Sequence, residues 1–189
     1  MPIIKIYPSK RPVRGILQYI TRGDTVPEEL IRTNGCDILD AEQEFSDIAH
    51  YYNKPTGAGN RTYYHMIVSY NTTYEKISPE EIRDMVEDLC QRTKIDCYQW
   101  YLAVHTDRPD HMHAHVVINN ISYRSDHEKH VKAGKSFQST GKLRHELMEK
   151  GNVICKEHGY EHSLVNTKSK AQERLTRAEL ALAANIMVS

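Results

Sequence analysis

Apolar residues recur along this chain with two different periods, and each period predicts one kind of element. Two segments, 3–7 and 63–70, are rich in β-branched and aromatic residues, which is typical of strands. Amphipathic helices are predicted where apolar residues recur at helical spacing, over 38–52 and after Ser78. Three further helices are predicted, over 15–22, over 142–158 with Gly159 as its stop signal, and over 173–188.

Two of these helices carry a recognisable start signal. Ser78 and Glu81 have the spacing of a capping box, and Pro79 stands at the first helical position between them. Asp37 precedes the apolar stripe that begins at Ile38 and is the expected N-cap of that helix. The sequence therefore predicts helices that begin just after Ser78 and just after Asp37.

Two strands, 98–105 and 111–119, flank the turn sequence TDRPD and predict a β-hairpin. Because side chains alternate along a strand, His111, His113 and His115 share one face of the second strand. The opposite face is apolar, with Met112, Ala114, Val116 and Ile118. With TDRPD as the turn, His105 joins the histidine face, directly across from His111 and diagonal to His113.

The element order predicts an α+β fold in which helices alternate with hairpin-forming strands. We expect a mainly antiparallel sheet covered by helices, with the histidine strand near its centre. A chain of 189 residues suits one compact domain. No apolar run approaches the ~20 residues of a membrane span, and the start lacks the apolar core of a signal peptide. We therefore expect a cytoplasmic protein without membrane insertion.

The formal net charge is zero, with 25 basic and 25 acidic residues, but the charge is unevenly distributed. The first 23 residues hold no acidic residue, and their candidate DNA contacts are Lys10, Arg11, Arg14 and Arg22. A second candidate set lies in the segment that follows the histidine strand, and consists of Arg124, Lys132 and Lys135. The alternative for both sets is a solvated surface. The four cysteines lack a C-x-x-C pair, which favours reduced thiols.

Clustered histidines on one hairpin face indicate a metal site. Neutral imidazole binds zinc, manganese, cobalt, nickel and copper, and three histidines leave coordination positions open, as in catalytic sites. The alternative is a group of surface histidines, since the chain has 11 in all. Asp107 is either a carboxylate that orients a histidine or transfers a proton, or simply the aspartate of the turn.

The arrangement of His105, His113 and His115, followed by VVIN, resembles the three-histidine motif of the HUH relaxases, the plasmid mobilisation nucleases. The segment RGILQYITR resembles their N-terminal nucleophile motif, and the likeness spans roughly residues 1–120. It implies that these three histidines are metal ligands and that Tyr19 is the nucleophile. It also implies a five-stranded antiparallel sheet in a two-layer sandwich, while His111 receives no role.

This resemblance implies site-specific nicking and rejoining of DNA at an origin of transfer, through a 5′-phosphotyrosine intermediate and with Mn²⁺ or Mg²⁺. The implied partners are single-stranded origin DNA with an adjoining hairpin, accessory relaxosome proteins and a coupling protein of a bacterial cell. Residues 1–165 would form the nicking domain, and 166–189 a helical extension leading to a further C-terminal region.

Two other functions are considered, a rolling-circle replication initiator and a metal-binding DNA-recognition module without nuclease activity. Tyr19 precedes the histidines, which favours a relaxase, because initiators of this superfamily carry their tyrosine after them. The tandem pairs Tyr51–Tyr52 and Tyr63–Tyr64 are weaker candidates for the nucleophile.

Overall fold

A computed structural model describes residues 3–21, 26–55, 59–70, 72, 75–107 and 112–161. Its strands are β1 (Ile3–Ser9), β2 (Ile31–Asn34), β3 (Tyr63–Ser69), β4 (Tyr98–His105) and β5 (His113–Ser122). Its helices are α1 (Val13–Thr21), α2 (Ala41–Tyr51), α3 (Pro79–Gln91) and α4 (Gly141–Glu157). The helix predicted over 173–188 lies outside the described residues. Within them, no helix is long and apolar enough to cross a bilayer.

The five strands form one sheet in the order β1-β3-β5-β4-β2, and every neighbouring pair is antiparallel. The α+β class and the five-stranded antiparallel sheet are therefore confirmed. Strand β5, which carries His113 and His115, lies at the centre and is hydrogen-bonded to β3 on one side and β4 on the other. Its central position gives the histidines a rigid support.

Helices pack on both faces of this sheet. On one face α3 and α4 cover the apolar side chains of the strands, among them Met66, Leu102 and Val116. On the other face, which also carries the histidines, Ile20 of α1 and Phe45 of α2 pack around Tyr101 and Val117. The histidine face is partly apolar, and α1 and α2 cover this apolar part.

The start of α3 is as predicted, whereas the start of α2 is not. Ser78 Oγ accepts a hydrogen bond from the Glu81 amide, and Glu81 Oε2 accepts one from the Ser78 amide. Helix α2 begins at Ala41, with Asp40 at its N-cap position. The Asp37 carboxylate instead accepts from the Leu39 amide, closing a local turn. Short carboxylates form such turns in competition with helix, which explains the late start.

The hairpin register also differs from the prediction. His105 pairs directly with His113, so seven residues separate the strands, and His111 lies outside the described residues. The predicted pairing with His111 is wrong by two residues. A shift of two keeps every side chain on its own face, so the hydrophobic pattern alone cannot distinguish the two registers.

Candidate metal centre

His105, His113 and His115 converge on one face of the β4–β5 hairpin. One ligand atom from each lies within 4.8 Å of the other two. In a tetrahedral site with metal–nitrogen bonds of ~2.1 Å, two ligand atoms lie about 3.4 Å apart, so the rings need to close by up to about 1.4 Å to share one ion. His105 and His115 are buried, and His113 is half-buried. The donor set suits a divalent ion with open coordination positions.

A backbone hydrogen bond sets the orientation of His105. Its Nε2 lies 2.8 Å from the carbonyl oxygen of Ile20 in α1. Because a carbonyl oxygen only accepts hydrogen bonds, Nε2 carries the proton, and Nδ1 is the nitrogen with the lone pair for a metal. The Ile20 side chain is fully buried and holds α1 against the sheet.

His65 is a fourth histidine of the same centre, and sequence analysis missed it. It lies on β3 with its ring stacked at 4.9 Å on that of His115, and its Nε2 is 2.7 Å from His115 Nδ1. Burial, followed by the neighbouring His105 and His113, lowers the pKa of His65 to about 4. A neutral His65 can accept a hydrogen bond from His115 Nδ1, and His115 would then ligate a metal through Nε2.

Tyr19 projects from α1 toward the histidines and remains 58 % exposed. The centroid of its ring lies 5.6 Å from that of His115 and 6.0 Å from that of His105, both in edge-on contact. Among the other candidate tyrosines, Tyr51 packs edge-on against Tyr52, and Tyr63 and Tyr64 are buried. Within the described residues, no ring contact joins these four to the histidines.

Asp107 lies two residues beyond His105 and is exposed. It is not one of the three converging groups, and its role stays a prediction. Of the basic candidates, Lys10 and Arg11 are exposed before α1, and Arg14 pairs with Glu42 at 3.7 Å. Arg22 lies outside the described residues.

The second basic set lies far from the histidines. Strand β5 runs seven residues from His115 to Ser122, roughly 23 Å, before this segment begins. Arg124 forms an ion pair with Asp96, and Lys132 and Lys135 are exposed. The structure therefore does not bring these three residues together with the metal centre.

Comparison with known protein families gives a match to the model described as "Relaxase: MobA/VirD2-like, nuclease domain", over residues 19–160. The chain belongs to this relaxase family. The match begins at Tyr19 and includes His65, His105, His113 and His115. The relaxase resemblance found in the sequence is thereby confirmed, and the chain is a relaxase nuclease domain.

Individual relatives agree with this assignment. The relaxase domain is 26 % identical over 147 residues to Protein rlx of Staphylococcus aureus, covering 78 % of this chain and 39 % of that protein. A solved structure that concerns the molecular basis of vancomycin resistance transfer in Staphylococcus aureus matches with a TM-score of 0.60 at 10 % identity. The match covers 89 % of this chain and 99 % of that one, and it shows the shared fold.

A weaker structural match is the conjugative relaxase TrwC in complex with oriT DNA, in a metal-bound structure. Its TM-score is 0.44 at 13 % identity, over 85 % of this chain and 71 % of that one. This similarity is too low to support conclusions about the relaxase domain.

Proposed function

We propose that this relaxase domain nicks and rejoins one strand of DNA at an origin of transfer by metal-dependent transesterification, with Tyr19 as the nucleophile. The edge-on packing of Tyr19 against His105 and His115 is the observation that carries the proposal. It brings a nucleophilic side chain and a set of metal-binding groups to one solvent-accessible place, as covalent phosphodiester chemistry requires.

His105, His113 and His115 would hold a divalent ion. When bound, the ion would neutralise charge on the phosphate oxygens and orient the phosphate. Three imidazoles favour Mn²⁺ or another transition ion over Mg²⁺, which prefers oxygen ligands. His65 and the Ile20 carbonyl orient two of the ligands, and this support is typical of functional metal sites.

In the chemical step, the Tyr19 oxygen attacks the scissile phosphorus, and the bond from phosphorus to the 3′ oxygen breaks. The phenolic proton passes to a base, and the departing 3′ oxygen gains a proton to become a hydroxyl. Asp107 is our candidate for this proton transfer, because it follows His105 at the exposed end of the hairpin. The 5′-phosphotyrosine ester retains the energy of the broken phosphodiester bond. Attack by a 3′-hydroxyl on this ester therefore rejoins the DNA strand without ATP.

The proposed substrate is single-stranded origin DNA with an adjoining hairpin, and accessory relaxosome proteins and a coupling protein would complete the system. Contacts to phosphates are proposed for Lys10, Arg11, Arg14 and Arg22, with Arg124, Lys132 and Lys135 on a more distant part of the strand. The chain spans 39 % of the length of Protein rlx, and we propose that residues 1–165 form the nicking unit.

A denaturing gel tests this function. The protein is incubated with labelled single-stranded DNA from the origin region and Mn²⁺, and we expect a covalent protein–DNA band together with a fragment that ends in a 3′-hydroxyl. DNA binding without the covalent band would contradict the proposal and favour a DNA-recognition module.

A further inference from the structure

A cavity of about 740 Å³ opens between α1, α2 and the second half of β5. This volume is within the range of small-molecule binding pockets. Its walls include the apolar residues Val13, Phe45 and Ala49, and polar residues such as Asn60 and Asn119 line the rest. The cavity thus combines apolar walls with polar groups.

The rim of the cavity is cationic, although the whole chain is neutral. Lys10, Lys54 and Arg61 line it, and none of them forms an ion pair with an acidic group among the described residues. Among the described residues, Glu42 is the one acidic residue in the lining, and it pairs with Arg14. Arg61 also lines a neighbouring cavity of about 330 Å³ together with Arg144, which continues the positive charge. This distribution is complementary to a polyanion.

Two elements connect the cavity to the metal centre. Val13 borders the cavity and starts α1, and Tyr19 lies six residues further along that helix, a rise of about 9 Å. On β5, Asn119 borders the cavity and lies four residues from His115, about 13 Å. At 3.4 Å per stacked nucleotide, the cavity is roughly three to four nucleotides from the phosphate that Tyr19 would attack.

We propose that this cavity binds one unstacked base of the DNA strand that Tyr19 attacks, while Lys10, Lys54 and Arg61 contact the phosphates beside it. The proposal rests on the proposed function. A base buries its two apolar faces against Val13, Phe45 and Ala49 and offers hydrogen-bonding groups at its edge. An acidic peptide would satisfy the cationic rim but would leave the apolar interior unfilled.

The test uses a random-sequence pool of labelled single-stranded oligonucleotides and an abasic oligomer of the same length. Ser46→Phe places a ring in the cavity from a half-buried position on α2. Gln43→Phe is the matched control, since Gln43 lies one turn away, is exposed and does not line the cavity. Ser46→Phe removes the hydrogen bond between Ser46 and His50, and Gln43→Phe removes the one between Gln43 and Asp47. Each variant therefore loses one hydrogen bond within α2.

Fluorescence anisotropy should show that Ser46→Phe weakens binding of the pool by about tenfold and leaves binding of the abasic oligomer unchanged. Gln43→Phe should leave both affinities unchanged. Equal binding of the pool and the abasic oligomer by the wild-type protein would overturn the proposal, because it would show contact with phosphates alone.

A second measurement uses only the wild-type protein and stands even if Ser46→Phe does not fold. A pool containing 5-iododeoxyuridine should photo-crosslink to peptides that contain Phe45 or residues 119–121. Crosslinks confined to other peptides would contradict the proposal. The covalent Tyr19 band is a separate readout that tests the nicking function. If the band forms but the wild-type protein binds both oligomers equally, the cavity proposal is overturned and the nicking function still stands.

Discussion

The carbonyl oxygen of Ile20 accepts a hydrogen bond from His105 Nε2 at 2.8 Å. Ile20 directly follows Tyr19, so one backbone contact fixes both the helix that carries the proposed nucleophile and the tautomer of a proposed metal ligand. Displacement of α1 would therefore disturb the ligand and the nucleophile together.

Tyr19→Phe should abolish covalent attachment to DNA while leaving the fold intact. The substitution removes only the phenolic oxygen and keeps the ring that packs against His105 and His115. The free energy of unfolding should change by less than ~0.5 kcal/mol, because Tyr19 is largely exposed. Tyr51→Phe, another exposed tyrosine, is the control and should still form the adduct. A Tyr19→Phe protein that remains covalently attached would rule out this nucleophile.

His113→Ala should weaken Mn²⁺ binding by on the order of 100-fold, measured by calorimetric titration, because it removes one of three ligands. Nicking should fall with the metal affinity, whereas binding to single-stranded DNA should largely persist. His145→Ala is the control, since His145 is exposed on α4 and pairs with Glu149. Mn²⁺ affinity equal to that of the wild type would show that His113 is not a ligand.

Substitutions of His65 should distinguish hydrogen bonding from packing. His65→Leu removes the partner of His115 Nδ1 and should lower Mn²⁺ affinity by roughly tenfold. His65→Gln retains a group that can accept this hydrogen bond and should preserve most of the affinity. Similar losses in both variants would indicate that the ring contributes through packing alone.

Affinity for origin DNA should decrease as salt increases, because phosphate contacts release counterions. A chain with balanced charge should show a modest slope of log affinity against log salt concentration. Lys10→Ala should reduce that slope by about 0.7, the contribution of one phosphate contact on single-stranded DNA. Salt-independent binding would argue against a nucleic-acid substrate.

Glu81 should make stability depend on pH in the acid range. The Ser78 amide, and then the Tyr160 hydroxyl, hold the pKa of this carboxyl below its ordinary value. The unfolded chain binds a proton at Glu81 more readily, so the stabilisation is complete above the ordinary pKa and is lost as pH falls through the lowered one. Glu81→Gln should therefore cost about 1 kcal/mol near neutral pH and less below pH ~4. Denaturant unfolding at several pH values measures this, and a cost independent of pH would exclude a contribution from the carboxylate charge.

The sequence was sufficient to predict the fold class, the central histidine strand and the face that His105 shares with His113, because alternation is a local property. Strand β2 was not predicted. Its four residues contain a single apolar side chain, Ile31, and it forms a strand only through pairing with β4. Short edge strands depend on their partner more than on their own composition.

His65 shows a different limit of sequence analysis. Alternation along 63–70 places it opposite Met66, on the face away from the α3–α4 core, and this much was available from the sequence. Its position beside His115 depends on the pairing of β3 with β5, which joins residues about fifty positions apart. The cavity between α1, α2 and β5 likewise depends on how two helices pack on the histidine face, which the pattern of one strand or helix does not specify.

Because β5 lies at the centre of the sheet, it resists local unfolding more than α1 does. His113 and His115 stand on a strand that is hydrogen-bonded along both edges, so their backbone opens only when the sheet itself separates. Tyr19 stands on a helix of nine residues, a length that is marginal without tertiary contacts. A DNA strand covalently joined to Tyr19 would thus be attached to the part of the molecule that opens at the lower free energy, while His113 and His115 keep their positions for the reverse reaction.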